Sequence, residues 1–243
     1  IPIGVTKDAK ATADTGKLGW PEYVLANFAH PHYVNNSEAK DAVALYRQLL
    51  SQAEDQSITI LSIGYLNNLA NLLATTGDHH SNLSGVDLVH RKVKNITVMA
   101  GEFPVGNETN IVDQVAAARA ALPHWPTPVT FVGFEAGLNI ICGRNLINAT
   151  TGKSILPHSP VGKAFEMGFD YFSKSSCFDE TATHVAVRGL EHFYDTEPGL
   201  IRIFANGTNS WYPDSEAIQE YVRQKANVTN EAIENAINPW LFR

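Results

Sequence analysis

Three short apolar runs start near Ile58, Ile96 and Val129, and each leads into an amphipathic stretch. The runs are "SITILSIG", "NITVMAG" and "TPVTFVGFEAG"; the stretches between and around them are "LNNLANLLATT", "VDLVHRKV" and "NIVDQVAAARAAL". Their spacing of a little over thirty residues is the length of a strand–helix–strand unit. The runs are β-branched and continuously apolar, as strands buried on both faces must be. This pattern predicts an α/β fold, an open, mostly parallel, Rossmann-like sheet with helices on both faces. Residues 1–243 are expected to form a single domain.

Upstream, residues 1–36 are rich in Gly, Pro, Thr and His and are expected to be mostly loop. Ala42, Leu45, Tyr46, Leu49 and Leu50 then recur at helical spacing. Downstream, "SPVGKAFEMGFDYF" and "DETATHVAVRGL" are expected to be helical, and "LIRIFANGTNSWY" to be two strands with "NGT" at the turn. "SEAIQEYVRQ" and "TNEAIENAINPWL" are expected to close the chain as helices.

Lys plus Arg number 18 against 25 for Asp plus Glu, a formal charge of -7. No basic run exceeds Arg91-Lys92, so nothing suits nucleic acid or an anionic membrane surface. No apolar run is long enough to span a bilayer. A neutral or cationic small molecule fits this charge better.

Seven Asn-x-Ser/Thr triplets occur, at Asn35, Asn82, Asn95, Asn107, Asn148, Asn206 and Asn227, and their number points to a secreted glycoprotein. The start at Ile1, without a methionine, reads as a mature product whose leader has been removed. Cys142 and Cys177 are equally compatible with one disulfide and with two buried thiols.

In open parallel sheets ligands bind beyond the carboxyl ends of the strands. Three loops qualify: "GYLNN", "AGEFPVGNETN" and "GFEAG". The second is the longest and carries Glu102, Glu108 and Asn110. Carboxylates accept, and amides both donate and accept, so the set suits hydroxyl groups. Glu108 and Asn110 also suit the start of a helix as capping residues.

Other clusters carry less. His30 and His32, and the "DHH" of Asp78, His79 and His80, lack the further ligands a zinc site needs. "GKS" (Gly152 to Ser154) lacks the setting of a phosphate loop. Trp20, Trp125 and Trp211 suit packing, with Trp211 and Tyr212 open to a base-stacking role. Arg188 suits an ion pair within a helix.

Taken together, the segments resemble the nucleoside hydrolase family of the inosine-uridine preferring type. "ITILSIGYLNNLANLL" is similar to a family segment "ILALGPLTNLA". "ITVMAGEFPVGNETNIVDQVAAARAAL" is similar to "VMGG…N…EFN…DPEAA", "SSCFDETATHVAVRG" to the "HDP" or "WDP" helix start, and "IPIGVT" to a "PVY.G" strand. The resemblance implies a calcium-dependent hydrolase that cleaves the N-glycosidic bond of a ribonucleoside to ribose and free base. It implies that Met99, Glu102, Glu108 and Asn110 bind ribose, and that Asp179 and the Asn67 backbone carbonyl hold calcium. Phe178 stands where the family has His or Trp.

The family's "DxDxxxDD" cluster, which supplies most calcium ligands and the water-activating aspartate, has no counterpart here; Asp8 and Asp14 are too far apart. The first strand–helix units of the family are therefore missing from this chain, and its catalytic residue is unknown. The expected partners are a ribonucleoside or ribose-like molecule, the chain's own N-terminal fragment, and further copies in a homo-oligomer. The alternative is a non-catalytic secreted glycoprotein, sugar-binding or defensive, on the same scaffold. Sugar is expected at Asn35, Asn82, Asn95, Asn148, Asn206 and Asn227. Asn107, beside Glu108, is expected to support its loop unmodified.

Overall fold

The computed structural model describes residues 1–7, 19–29, 37–148, 150–168 and 176–242. His30, His32, Asn35, Asp8 and Asp14 lie outside them.

The three apolar runs form strands β3 (Ile58–Ser62), β4 (Val93–Val98) and β6 (Val129–Phe131), paired in parallel. Beyond β6 lie β9 (Gln219–Gln224), β7 (Tyr194–Ile203), β8 (Asn209–Pro213) and β5 (Val105–Gly106). β9 runs parallel to β6, and the remaining pairs are antiparallel. Because β8 reverses β7, which reverses β9, five of the seven strands point one way. A separate two-stranded parallel pair joins β1 (Gly4–Val5) to β2 (Lys40–Asp41).

The period of two along each strand divides the core between the two faces of the sheet. Ile96, Val98, Val129, Phe131, Ile201 and Ile203 face one side. Helices α2 (Ala42–Gln52), α3 (Asn67–Leu73), α4 (Gly85–Lys92) and α6 (Val115–Ala121) cover it with Leu50, Leu69, Leu72, Leu88 and Ala118. Met99, Val132, Tyr194 and Val222 belong to the other side, under α9 (Phe178–Arg188) and α10 (Asn230–Ile237). The fold is the mostly parallel α/β sheet that the strand spacing predicts.

Two expectations are corrected and a third is refined. The segment "SEAIQEYVRQ" is not a helix: its second half is β9, the strand between β6 and β7. Tyr221 packs toward one core and Val222 toward the other, while the buried Gln219 side chain accepts from the Ile201 N–H and donates to the Leu122 carbonyl. Pairing on both edges outweighs the helix-favouring composition. "NIVDQVAAARAAL" is broken into α5 (Thr109–Val112) and α6 rather than one helix. Within residues 1–36 a helix, α1 (Trp20–Asn27), forms with Pro21 in its first turn, where a missing N–H costs nothing.

Cys142 and Cys177 are joined in a disulfide. It links the segment after α7 (Phe134–Gly137) to the residue that precedes α9, and the Cys177 N–H also donates to the Ile140 carbonyl at 2.8 Å. In α2 the buried residues include Arg47 among Ala42, Leu45 and Leu50, whereas Leu49 is exposed.

Candidate functional site

The loop after β4 is built around Glu108, which is buried at 6 % exposure. One carboxylate oxygen accepts from the Asn110 N–H at 2.8 Å, capping α5, and the other accepts from the Gly101 N–H at 3.1 Å. Glu108 is therefore both a cap and a tie across its own loop. Burial pushes its pKa up, and the charge of Asp179 acts in the same direction. The Asn110 amide donates to the Met99 carbonyl at 3.1 Å and meets its sulfur at 3.3 Å. Met99 itself is buried, so its side chain supports Asn110 from beneath.

Glu102 is held at its backbone by the fully buried Asn209 of β8, whose Oδ1 accepts the Glu102 N–H and whose Nδ2 donates to the Glu102 carbonyl. The Glu102 carboxylate folds over the loop to accept the Asn107 N–H at 3.1 Å. A side chain at Gly106 would run into that carboxylate, which is why glycine stands there. The Asn107 side chain accepts from the Thr208 hydroxyl at 3.0 Å, bracing the loop against the β7–β8 turn.

The first loop is tied to the second. Tyr65 donates to Asp113 at 2.8 Å, and the Asn67 amide donates to Gln114 at 3.3 Å from the first turn of α3. Asp179 stands in the first turn of α9, which packs against β3 and β4. Its side chain faces solvent, yet its carboxyl is raised to about 6 by the protein around it and by Glu180. Glu108, Asn110 and Asn67 lie in the segments that follow β3 and β4, and Asp179 opens the helix that packs against those two strands.

Two features escaped the sequence reading. Glu135, in the "GFEAG" loop, accepts the Phe103 N–H at 2.9 Å with one oxygen, while its other oxygen is buried without a hydrogen bond. Burial raises its pKa to about 7, with a further push from Glu102. Its position just after a parallel strand was the available signal. The second is a stacked pair, Phe134 on Phe178, with ring centres 5.0 Å apart. Residues adjacent in space but 44 apart in sequence (178 − 134) leave no local pattern.

Among the described residues no three His, Cys, Asp or Glu side chains come together as a metal site. Asp78 is instead engaged by Arg47, and the His79 and His80 rings lie against each other. Asn82, Asn107, Asn148, Asn206 and Asn227 are exposed. Asn95 is half-buried within β4, where its side chain accepts from the Thr59 hydroxyl at 2.7 Å.

No family model matches the sequence, and no curated protein is similar to it in sequence. The fold is that of the nucleoside hydrolases. An inosine-uridine preferring nucleoside hydrolase from Bacillus anthracis superposes with a TM-score of 0.59 at 15 % identity, over 84 % of this chain and 65 % of that one. A plant nucleoside hydrolase superposes with a TM-score of 0.58 at 17 % identity, over 89 % of this chain and 71 % of that one. The chain thus spans slightly less than two thirds of the length of the bacterial protein.

Proposed function

We propose that this chain supplies the substrate-binding part of a secreted nucleoside N-ribohydrolase. The observation that supports this reading is the hydrogen-bonded loop after β4 that carries Glu108 and Asn110, set on a nucleoside hydrolase-like sheet against which the helix of Asp179 packs. In it Glu108, Asn110 and Glu102 face the ribose hydroxyls from a loop fixed by its own hydrogen bonds, so little ordering entropy is lost on binding. Calcium takes six to eight oxygens, and Asp179 with the Asn67 carbonyl offers two. Among the described residues no further carboxylate joins them, so these two do not by themselves fit the ion. Calcium binding in this reading calls for oxygen ligands from outside the described residues, and we derive no step through the metal.

The test is titration calorimetry with inosine and uridine, alongside an assay for released ribose. Glu102→Gln is expected to weaken riboside binding by about tenfold or more, the range for a lost charge-assisted hydrogen bond. Unchanged affinity in Glu102→Gln, or no binding by the parent chain, would overturn the reading.

A non-catalytic secreted glycoprotein is the second reading, favoured by the absence of a metal cluster among the described residues. The two separate at Asn107. Glycopeptide mapping of native protein is expected to find sugar at the exposed Asn148 and Asn206 and none at Asn107, whose side chain is engaged with Thr208. Full occupancy at Asn107 would place a branched sugar over the cleft and give the second reading the lead.

A further inference from the structure

Two residues at the start of α7 reach the loop after β4 on either side of Glu102. The Phe134 N–H donates to the Gly101 carbonyl at 2.8 Å, and the Glu135 carboxyl accepts the Phe103 N–H at 2.9 Å. Glu102, expected to meet ribose from this loop, is thus bracketed by two bonds from the connection after β6.

The seat of the Glu135 carboxyl is tight and its surroundings are apolar. A Cβ on Gly133 would lie 2.6 Å from both carboxyl oxygens and from the Phe103 ring, so glycine alone fits beneath them. That ring is itself buried, stacked on Tyr221 with centres 4.8 Å apart and set edge-on to Trp211. Oε1 of Glu135 is enclosed here with no hydrogen bond.

Nor does a cation answer this carboxyl among the described residues. The elements packed against α7 are α9 and β9. In α9, Arg188 pairs with Glu191 and His184 also faces Glu191, while Asp179 and Glu180 are acids. In β9, Arg223 pairs with Glu197, Glu220 accepts from the Thr130 hydroxyl, and Tyr221 is a neutral phenol. The charged group that presses on Glu135 is Glu102, another carboxylate. An enclosed oxygen without a donor tolerates a proton and penalises a charge.

From this seat and its bond to Phe103 we infer that Glu135 is the positioning residue of the loop after β4, a clamp that its neutral carboxyl holds shut and its ionised form lets go. The proton belongs on Oε1, which leaves Oε2 to accept from Phe103. Loop opening gives the charged carboxylate the water it lacks in its seat. The raised pKa of about 7 agrees with this geometry. Closure is then fully supported below the ordinary carboxyl pKa of 4.5 and loses support as pH rises to about 7. What the clamp means for recognition rests on the ribose-binding reading above; the clamp itself does not.

The experiment follows hydrogen exchange in the parent chain and in Glu135→Gln from about pH 5 to about pH 8, corrected for the intrinsic pH dependence of exchange. Protection of the Phe103 and Asn107 amides is expected to fall by about tenfold or more in the parent, a fraction of what the full shift allows. It is expected to hold level in Glu135→Gln, and Ile96 in β4 is expected to stay level in both. Carboxyl chemical shifts of the parent give a second reading that needs no variant, with Glu135 titrating well above the ordinary range. Riboside affinity is expected to decline over the same pH range in the parent and to lose that decline in Glu135→Gln. Equal loss of protection in both proteins, or a Glu135 that ionises near 4.5, would overturn the inference. Exchange that follows the clamp while no riboside binds at any pH would uphold the clamp and remove the ribose-binding reading.

Discussion

Replacement of Arg47 by methionine is expected to lower the unfolding free energy by about 3 kcal/mol, toward the lower end of what breaking a buried ion pair costs. Arg47 is 2 % exposed and its guanidinium is engaged at all three nitrogens. Nε and Nη2 grip Asp78 at 2.7 and 3.1 Å, Nη1 donates to Thr75, and Nη2 also reaches the carbonyls of Ser81 and Leu83. One side chain thus shapes the whole connection between α3 and α4. The methionine variant leaves Asp78 without its cation and the Leu83 carbonyl without its donor, while the Ser81 carbonyl keeps the Asp78 N–H. Asp78 keeps some solvent access and can rehydrate, which holds the loss below the upper limit. Equilibrium denaturation of both proteins measures the difference; a change under about 0.5 kcal/mol, as for an ordinary surface position, would contradict this account.

Conversion of Cys142 and Cys177 to alanine is expected to cost about 3–4 kcal/mol, since the bridge closes a long loop in the unfolded chain. The sequence separation is 35. The variant should also bind ribosides more weakly, because the bridge anchors the residue that leads into Phe178 and Asp179. Denaturation midpoint and riboside affinity are read on the same sample. Loss of stability with affinity intact would show that α9 is placed by packing alone.

The parts of this protein that can be read from sequence are those with a local period. The apolar runs at Ile58, Ile96 and Val129 had one, and they became the parallel half of the sheet. β9 had none: its strand character comes from partners far along the chain, β6 on one edge and β7 on the other. Arg47 went unseen because a charged residue on a helix is normally solvated, and it takes Asp78, Thr75 and two carbonyls from a distant segment to make its burial tolerable. Glu108 and Asn110 were visible as a capping pattern, and the carboxylate that caps α5 also ties the loop after β4 to Gly101. The Phe134–Phe178 stack and the unpartnered oxygen of Glu135 depend on tertiary packing, so no short stretch encodes them.

The grip of Asn209 on Glu102 sets an order of events in time. The two residues are 107 positions apart, and the same loop leans on Thr208 through Asn107 at a separation of 101. Contacts of that span form only after a large loss of chain entropy has been met by other interactions. The strands β3, β4 and β6 can associate while the β7–β8 hairpin is still absent, but the loop that bears Glu102 and Glu108 then lacks the support of Asn209 and Thr208. During synthesis from the N-terminus the three parallel strands therefore precede the support of this loop, which becomes rigid only when β7 and β8 arrive.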